Sequence, residues 1–153
     1  MGPGLCESLF GSQTELAEKL AKEYDFPLAS FFSSSLTQVN QFIRSSYDPA
    51  TLSLALEVAI RQEAQQRFEA DLPEALKAPD APLLELISAC GAKARECDAL
   101  EQHKVLARLP LRMYLTTNYD NLMEDALTEA GKTPESIVCP WREIAGLPAF
   151  DPA

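Results

Sequence analysis

Apolar residues at positions 16, 17, 20, 21 and 24 (Leu16, Ala17, Leu20, Ala21, Tyr24) recur every three or four residues, the period of one buried helix face. They follow Ser12-Gln13-Thr14-Glu15, in which a hydroxyl and a carboxylate three residues apart satisfy each other's backbone donors. The spacing predicts a helix over 12–24, bounded by Pro27. Leu36, Val39, Phe42 and Ile43 predict a shorter helix, closed by the turn-prone Ser45-Ser46-Tyr47-Asp48-Pro49.

Asp48 before Pro49 is a start signal, and the stripe Leu52, Leu56, Ile60 and Ala64 carries that helix to about Phe68. Arg61, Glu63, Gln65, Arg67 and Glu69 form its polar, solvated face. Pro73, Pro79 and Pro82 make residues 72–82 a connector. Leu83, Leu84, Leu86, Ile87 and Cys90 predict the next helix; Asp98 and Glu101 cap another containing Leu100, Val105, Leu106 and Leu109, which Pro110 ends.

The period then changes. Residues 112–117 (Arg-Met-Tyr-Leu-Thr-Thr) read as a strand, followed by a helix with Leu122, Met123, Ala126, Leu127 and Ala130 on one face and Gly131 beyond its end. Ser136, Ile137, Val138 and Cys139 read as a second short strand before Pro140; residues 141–153, with Trp141, show no periodicity. A strand-helix-strand unit implies a sheet, and two strands alone do not make a stable one.

At 153 residues the chain has a one-domain length, and 46% hydrophobic content is enough for a core. Its net charge of −10 disfavours a phosphate backbone as partner, so no direct nucleic-acid binding is expected. Cys6, Cys90, Cys97 and Cys139 form no C-x-x-C pair, and with His103 as the one histidine no metal site is expected. Free thiols, the lack of a leader-like N-terminus and the lack of a long apolar run point to the cytoplasm, away from a membrane. His103, flanked by Glu101, Gln102 and Lys104, reads as a solvated surface residue.

Candidate chemistry concentrates where the strand hands over to its helix, because the carboxyl end of a strand in an open α/β sheet is the usual place for a ligand. There Thr116, Thr117, Asn118, Tyr119 and Asp120 run into Asn121, Leu122, Met123 and Glu124. Asn118 and Asp120 also fit a plainer role as helix cap and dipole partner. At the other end, Gly2-Pro3-Gly4-Leu5-Cys6 has the makings of a glycine turn on which a backbone approaches a pyrophosphate.

The Thr116–Glu124 run, with Tyr114-Leu115 before it, resembles the strand-to-helix motif of the sirtuin-like domains of bacterial defence effectors. The Gly2–Cys6 turn, with Glu15-Leu16-Ala17 and Tyr24-Asp25-Phe26-Pro27, is similar to that family's nucleotide loop and first helix. The resemblance implies an α/β fold: one incomplete Rossmann-like sirtuin-type domain over residues 1–153, predominantly helical with a short parallel sheet.

It also implies NAD⁺ as substrate, with release of nicotinamide by hydrolysis of its N-glycosidic bond, in antiphage defence and alongside a fused or associated sensor module. Asn118 and Asp120 would be catalytic, Asp120 holding the nicotinamide carboxamide; Gly2, Gly4, Leu5, Thr116 and Thr117 would line the dinucleotide. An uncharged amide such as Asn118 holds a ribose hydroxyl or water without opposing the developing oxocarbenium ion. Cys6 replaces the family's usual serine, a weaker hydrogen-bond donor. The family's catalytic histidine, in a His-Gly segment after the second strand, has no counterpart here, and neither does its first strand. The chain is therefore expected to be a fragment, inactive alone. The rival expectation is a helical acidic module that binds another protein without catalysis.

Overall fold

Ser12, Asp48 and Glu101 each start a helix with a side chain that accepts an open N–H group of its first turn. The computed structural model describes residues 1–27 and 30–138. Pro3–Cys6 form a 3₁₀ turn that runs into α1 (Glu7–Phe10). Ser12 caps α2 (Gln13–Glu23): its Oγ accepts from Glu15 N–H at 3.2 Å while Glu15 Oε2 accepts from Ser12 N–H at 2.8 Å. Ser12→Ala removes that reciprocal pair and is expected to cost about 1 kcal/mol in urea unfolding, with an unchanged m-value.

After the short α3 (Ser30–Ser33), α4 (Leu36–Ser46) continues through both serines of the expected turn and stops at Tyr47. Asp48 Oδ1 accepts from Ala50 N–H at 2.8 Å and opens α5 (Pro49–Phe68), as its sequence predicts. The proline-rich connector holds one short turn of helix, α6 (Glu74–Lys77). Pro82 precedes α7 (Leu83–Cys97), Glu101 caps α8 (Gln102–Ala107), and α9 (Leu122–Glu129) ends before Gly131, whose φ of +78° suits glycine. Helix α8 is shorter than expected and leaves Leu100 exposed ahead of it.

The helices pack in relay. Leu20, Val39 and Ile43 join α2 to α4 with no accessible surface, and Ala55 brings α5 onto them. Full burial of one such Leu or Ile is worth about 1.5–3 kcal/mol. Ala64, Leu86 and Cys90 join α5 to α7, and Leu9, Ile87 and Leu122 tie α1 to α7 and α9. Ala107, Met123, Ala126 and Leu127 join α8 to α9, with Met1 and Tyr114 laid against them. On α5 Ala64 is buried at the end of the expected stripe, and the other buried positions, Ala55 and Ala59, lie one step round from Leu52, Leu56 and Ile60. Its polar face is not all solvated. Arg61 donates to Ala81 O at 2.6 Å, and Glu63 accepts from Lys19 at 3.0 Å.

The expected Rossmann-like parallel sheet is overturned: among the described residues there is no strand. Residues 113–117 are neither helix nor strand, and their backbone meets Met1, whose ammonium donates to Leu115 O at 2.6 Å and whose carbonyl accepts from Thr117 N–H at 3.2 Å. That alternation is the one a parallel pair makes, and it stops after a single residue. A strand exists only through its neighbours. Without them Met113 and Leu115 face outward, and so do Ile137 and Val138 of the second expected strand. What holds the segment is side-chain anchoring: the Tyr114 hydroxyl lies 3.1 and 3.2 Å from the Leu106 and Leu109 carbonyls, and Lys132 Nζ reaches Leu109 O at 2.6 Å and stands over the Tyr114 ring. The readings of Cys139 and Trp141 lie outside the described residues.

Candidate functional site

The contact of Met1 with residues 115 and 117, together with the packing of Leu9 on Leu122, lays the N-terminal turn against the start of α9. This brings Cys6 to Asn118 and Asp120 across more than a hundred positions of sequence. Asn118 Nδ2 donates to Cys6 Sγ at 3.3 Å, and the Cys6 thiol donates to Asp120 Oδ2 at 3.5 Å. Asp120 Oδ1 accepts from Leu122 N–H at 3.1 Å, so this carboxylate closes the first turn of α9. The capping role thus falls to Asp120, while the Asn118 side chain points to the N-terminal turn.

The polypeptide at this corner is shaped locally. Thr116 Oγ1 accepts from Asn118 N–H at 3.0 Å, a hydroxyl turn that swings the chain out of its extended path. Neither Gly2 nor Gly4 has a positive φ, so no strained backbone demands glycine there. What they contribute is space: a Cβ on Gly2 would meet nothing within 4 Å, and one on Gly4 only Glu7 Oε1 at 3.8 Å. Thr116 and Thr117 are exposed, Leu5 is half-buried, and Asn118 and Asp120 are half-buried.

Burial pushes the Cys6 thiol up to about 12, with the nearby Asp120 carboxylate and, more weakly, Glu101 adding to the effect. The thiol is therefore protonated at neutral pH and is a hydrogen-bonding group, not a nucleophile. Burial likewise raises Cys90 to about 11. Cys6, Cys90 and Cys97 are free. Among the described residues no group of three or more His, Cys, Asp and Glu stands where it could hold a metal ion, and no helix is long and apolar enough to cross a membrane.

Two further features escaped the sequence. His103 is not a surface residue: it is 1% exposed, with Nδ1 2.6 Å from Oε1 of the equally buried Glu101, whose other oxygen accepts from Lys104 N–H at 2.8 Å. Glu101 serves as cap and histidine partner together, and that double use keeps both groups inside. Two cavities of about 450 and 440 Å³ lie along α9, one between it and Lys104 and Arg108, the other between it and Ser88 and Ala92; Cys6, Asn118 and Asp120 line neither. Cys6, Asn118 and Asp120 of the candidate cluster are half-buried.

Part of the chain is similar to curated proteins. Over 39 residues it is 56% identical to the NAD(+) hydrolase ThsA of Bacillus cereus (strain MSX-D12), over 40 residues 50% identical to that of Cytobacillus dafuensis, and over 40 residues 48% identical to that of Enterococcus faecium. These relatives are NAD(+) hydrolases. Each match covers 26% of this chain and 8% of the relative, so the likeness to the NAD(+) hydrolases is local. It agrees with the activity that the resemblance read from the sequence implies. No family model matches the chain, and no solved structure matches it either.

Proposed function

We propose that this chain carries part of an NAD⁺-binding site and that the longer polypeptide to which it belongs hydrolyses NAD⁺ to nicotinamide and ADP-ribose. The observation that carries the reading is the meeting of the Gly2–Cys6 turn with Asn118 and Asp120, two motifs from opposite ends of the sequence joined by hydrogen bonds. The local similarity to NAD(+) hydrolases supports it.

In this reading the bond between ribose C1′ and the nicotinamide nitrogen breaks with its electron pair leaving on nicotinamide. Water then adds to the oxocarbenium carbon and loses a proton. Asn118 accepts a hydrogen bond from a ribose hydroxyl or from that water, Asp120 takes the carboxamide, Thr116, Thr117 and Leu5 flank the dinucleotide, and the open space over Gly2 and Gly4 admits its pyrophosphate. His103 is held inside by Glu101 and is not offered to a substrate, so this chain alone binds NAD⁺ without turning it over. A cytoplasmic, bacterial, antiphage role with a sensor module belongs to the same proposal.

Isothermal titration with NAD⁺ and with ADP-ribose is expected to give saturable binding that Asn118→Ala weakens at least about tenfold, the scale of one lost directed hydrogen bond. Absence of saturation up to millimolar ligand refutes the reading. The exposed apolar side chains Met113, Leu115, Ile137 and Val138 favour one alternative, an interaction module without catalysis, and co-purification of a stoichiometric protein partner with no NAD⁺ binding would be its result.

A further inference from the structure

We propose that Cys6 is a positioning residue for Asn118: its thiol fixes which way the carboxamide faces, turning Nδ2 inward and leaving Oδ1 to accept from substrate. The inference rests on the functional reading above for what the amide touches, but its geometry stands without it. A carboxylate at Asp120 can only accept, so the single hydrogen of the Cys6 thiol goes to Asp120 Oδ2 and the sulfur is left as an acceptor. The group facing it at 3.3 Å must then be a donor, which assigns that side of the Asn118 amide as Nδ2.

The donors converge on Asp120. Asn118 donates to Cys6 and Cys6 to Asp120 Oδ2, while Leu122 N–H at the head of α9 donates to Asp120 Oδ1 from the other side. The Asn118 backbone N–H is held by Thr116 Oγ1, and the terminal amide torsion of the side chain is broad and nearly two-fold when nothing directs it. Among the described residues Oδ1 of Asn118 meets no donor, which suits a group reserved for a hydroxyl or water.

An amide presenting Nδ2 outward would offer a donor where an acceptor is needed, so an undirected Asn118 spends much of its time misaligned. Burial and the Asp120 carboxylate keep the thiol protonated against the smaller opposing effect of the Asn118 hydrogen bond, so its hydrogen stays on Asp120 and the sulfur faces Asn118 as an acceptor. Ser at position 6 can make the same two hydrogen bonds, whereas Ala and Val can make neither.

The test uses the ¹⁵N-labelled full chain and its Cys6→Ser, Cys6→Ala and Cys6→Val variants, each checked for helicity by circular dichroism. The Asn118 side-chain NH₂ resonances, assigned through Asn118→Ala, are expected to shift in Cys6→Ala and Cys6→Val and to keep an engaged position in Cys6→Ser. NAD⁺ affinity is expected to fall about tenfold in the first two and to stay within about twofold of the parent in the serine variant. Unchanged Asn118 resonances in Cys6→Val, or a serine variant that behaves like the alanine one, overturn the proposal. If the parent chain binds no NAD⁺ the functional reading falls, and the Asn118 resonances still decide whether Cys6 directs the amide. Should Cys6→Ala fail to fold, Cys6→Val, which leaves no hole, and Cys6→Ser give the same decision.

Discussion

Replacing Glu129 by alanine is expected to destabilise the protein by about 3 kcal/mol, more than the conventional alternative of removing its partner Arg95. The two residues are paired by a fork of hydrogen bonds, Arg95 Nε to Glu129 Oε2 at 2.9 Å and Nη2 to Oε1 at 2.8 Å. Their surroundings differ. The Arg95 side chain is 2% exposed, deep between α7 and α9, while that of Glu129 is 50% exposed. A guanidinium cannot shed its charge by deprotonation, so without Glu129 it stays ionised in the interface, and its Nη1 already lacks a partner there. Removing Arg95 instead leaves Glu129 free to turn into water. Arg95→Met, which keeps an unbranched stem to fill the space, is expected to cost less than about 1.5 kcal/mol, and the double variant less than Glu129→Ala alone. Urea unfolding of the three at pH 7 ranks them; an equal cost for the two single changes would show that packing, not charge, decides.

The same pair sets a pH dependence whose sign follows from Glu129. Hydrogen bonds from Arg95 hold its carboxyl below the ordinary value of 4.5, against a smaller opposing effect of burial. A folded-state value below the unfolded one means that this contribution is fully present above pH 4.5 and is lost as pH falls through the lower, folded value. Acid unfolding of Glu129→Ala is accordingly expected to be less steep in that window than that of the parent chain.

Much of the helical scaffold is legible because its signals are local. Ser12 with Glu15 and Asp48 with Pro49 place two starts within a residue, and the apolar period fixes which faces of α2, α4, α7 and α9 turn inward. The absence of a sheet among the described residues is not legible, for a physical reason of another kind. Residues 112–117 have the β-branched and aromatic content of a strand, but a strand is defined by what pairs with it, and what pairs with Leu115 and Thr117 is the single residue Met1. The candidate site was half legible. Asn118 and Asp120 stand out in their own segment, but nothing near Cys6 announces a contact 114 positions away. His103 misled because its neighbours in sequence are polar; the deciding contact, with Glu101 two residues back, turns two polar side chains into a buried pair.

The relation between scaffold and site is most exposed at Gly91, in the middle of α7 where α9 crosses it. A Cβ built there would lie 2.2 Å from Leu122 Cδ2 and 2.9 Å from Arg95 Nη1, both far inside contact distance. Two effects oppose each other in Gly91→Ala. Helix propensity favours alanine by roughly 1 kcal/mol. Overpacking costs about 1–3 kcal/mol where neighbours cannot yield, and Leu122 has no accessible surface while Arg95 is tied to Glu129. The clash is expected to win, with a net loss of about 1 kcal/mol in urea unfolding. Because Leu122 N–H is the donor that Asp120 Oδ1 accepts, pushing α9 away also disturbs the hydrogen-bond chain through Cys6 to Asn118. Gly91→Ala is therefore expected to move the Asn118 side-chain resonances without touching that residue. Shortening Leu122 to Ala relieves the clash, so the double variant should be less destabilised than the two single losses added together. Simple additivity, or a Gly91→Ala protein more stable than its parent, would mean that α7 and α9 sit farther apart than their contact here requires.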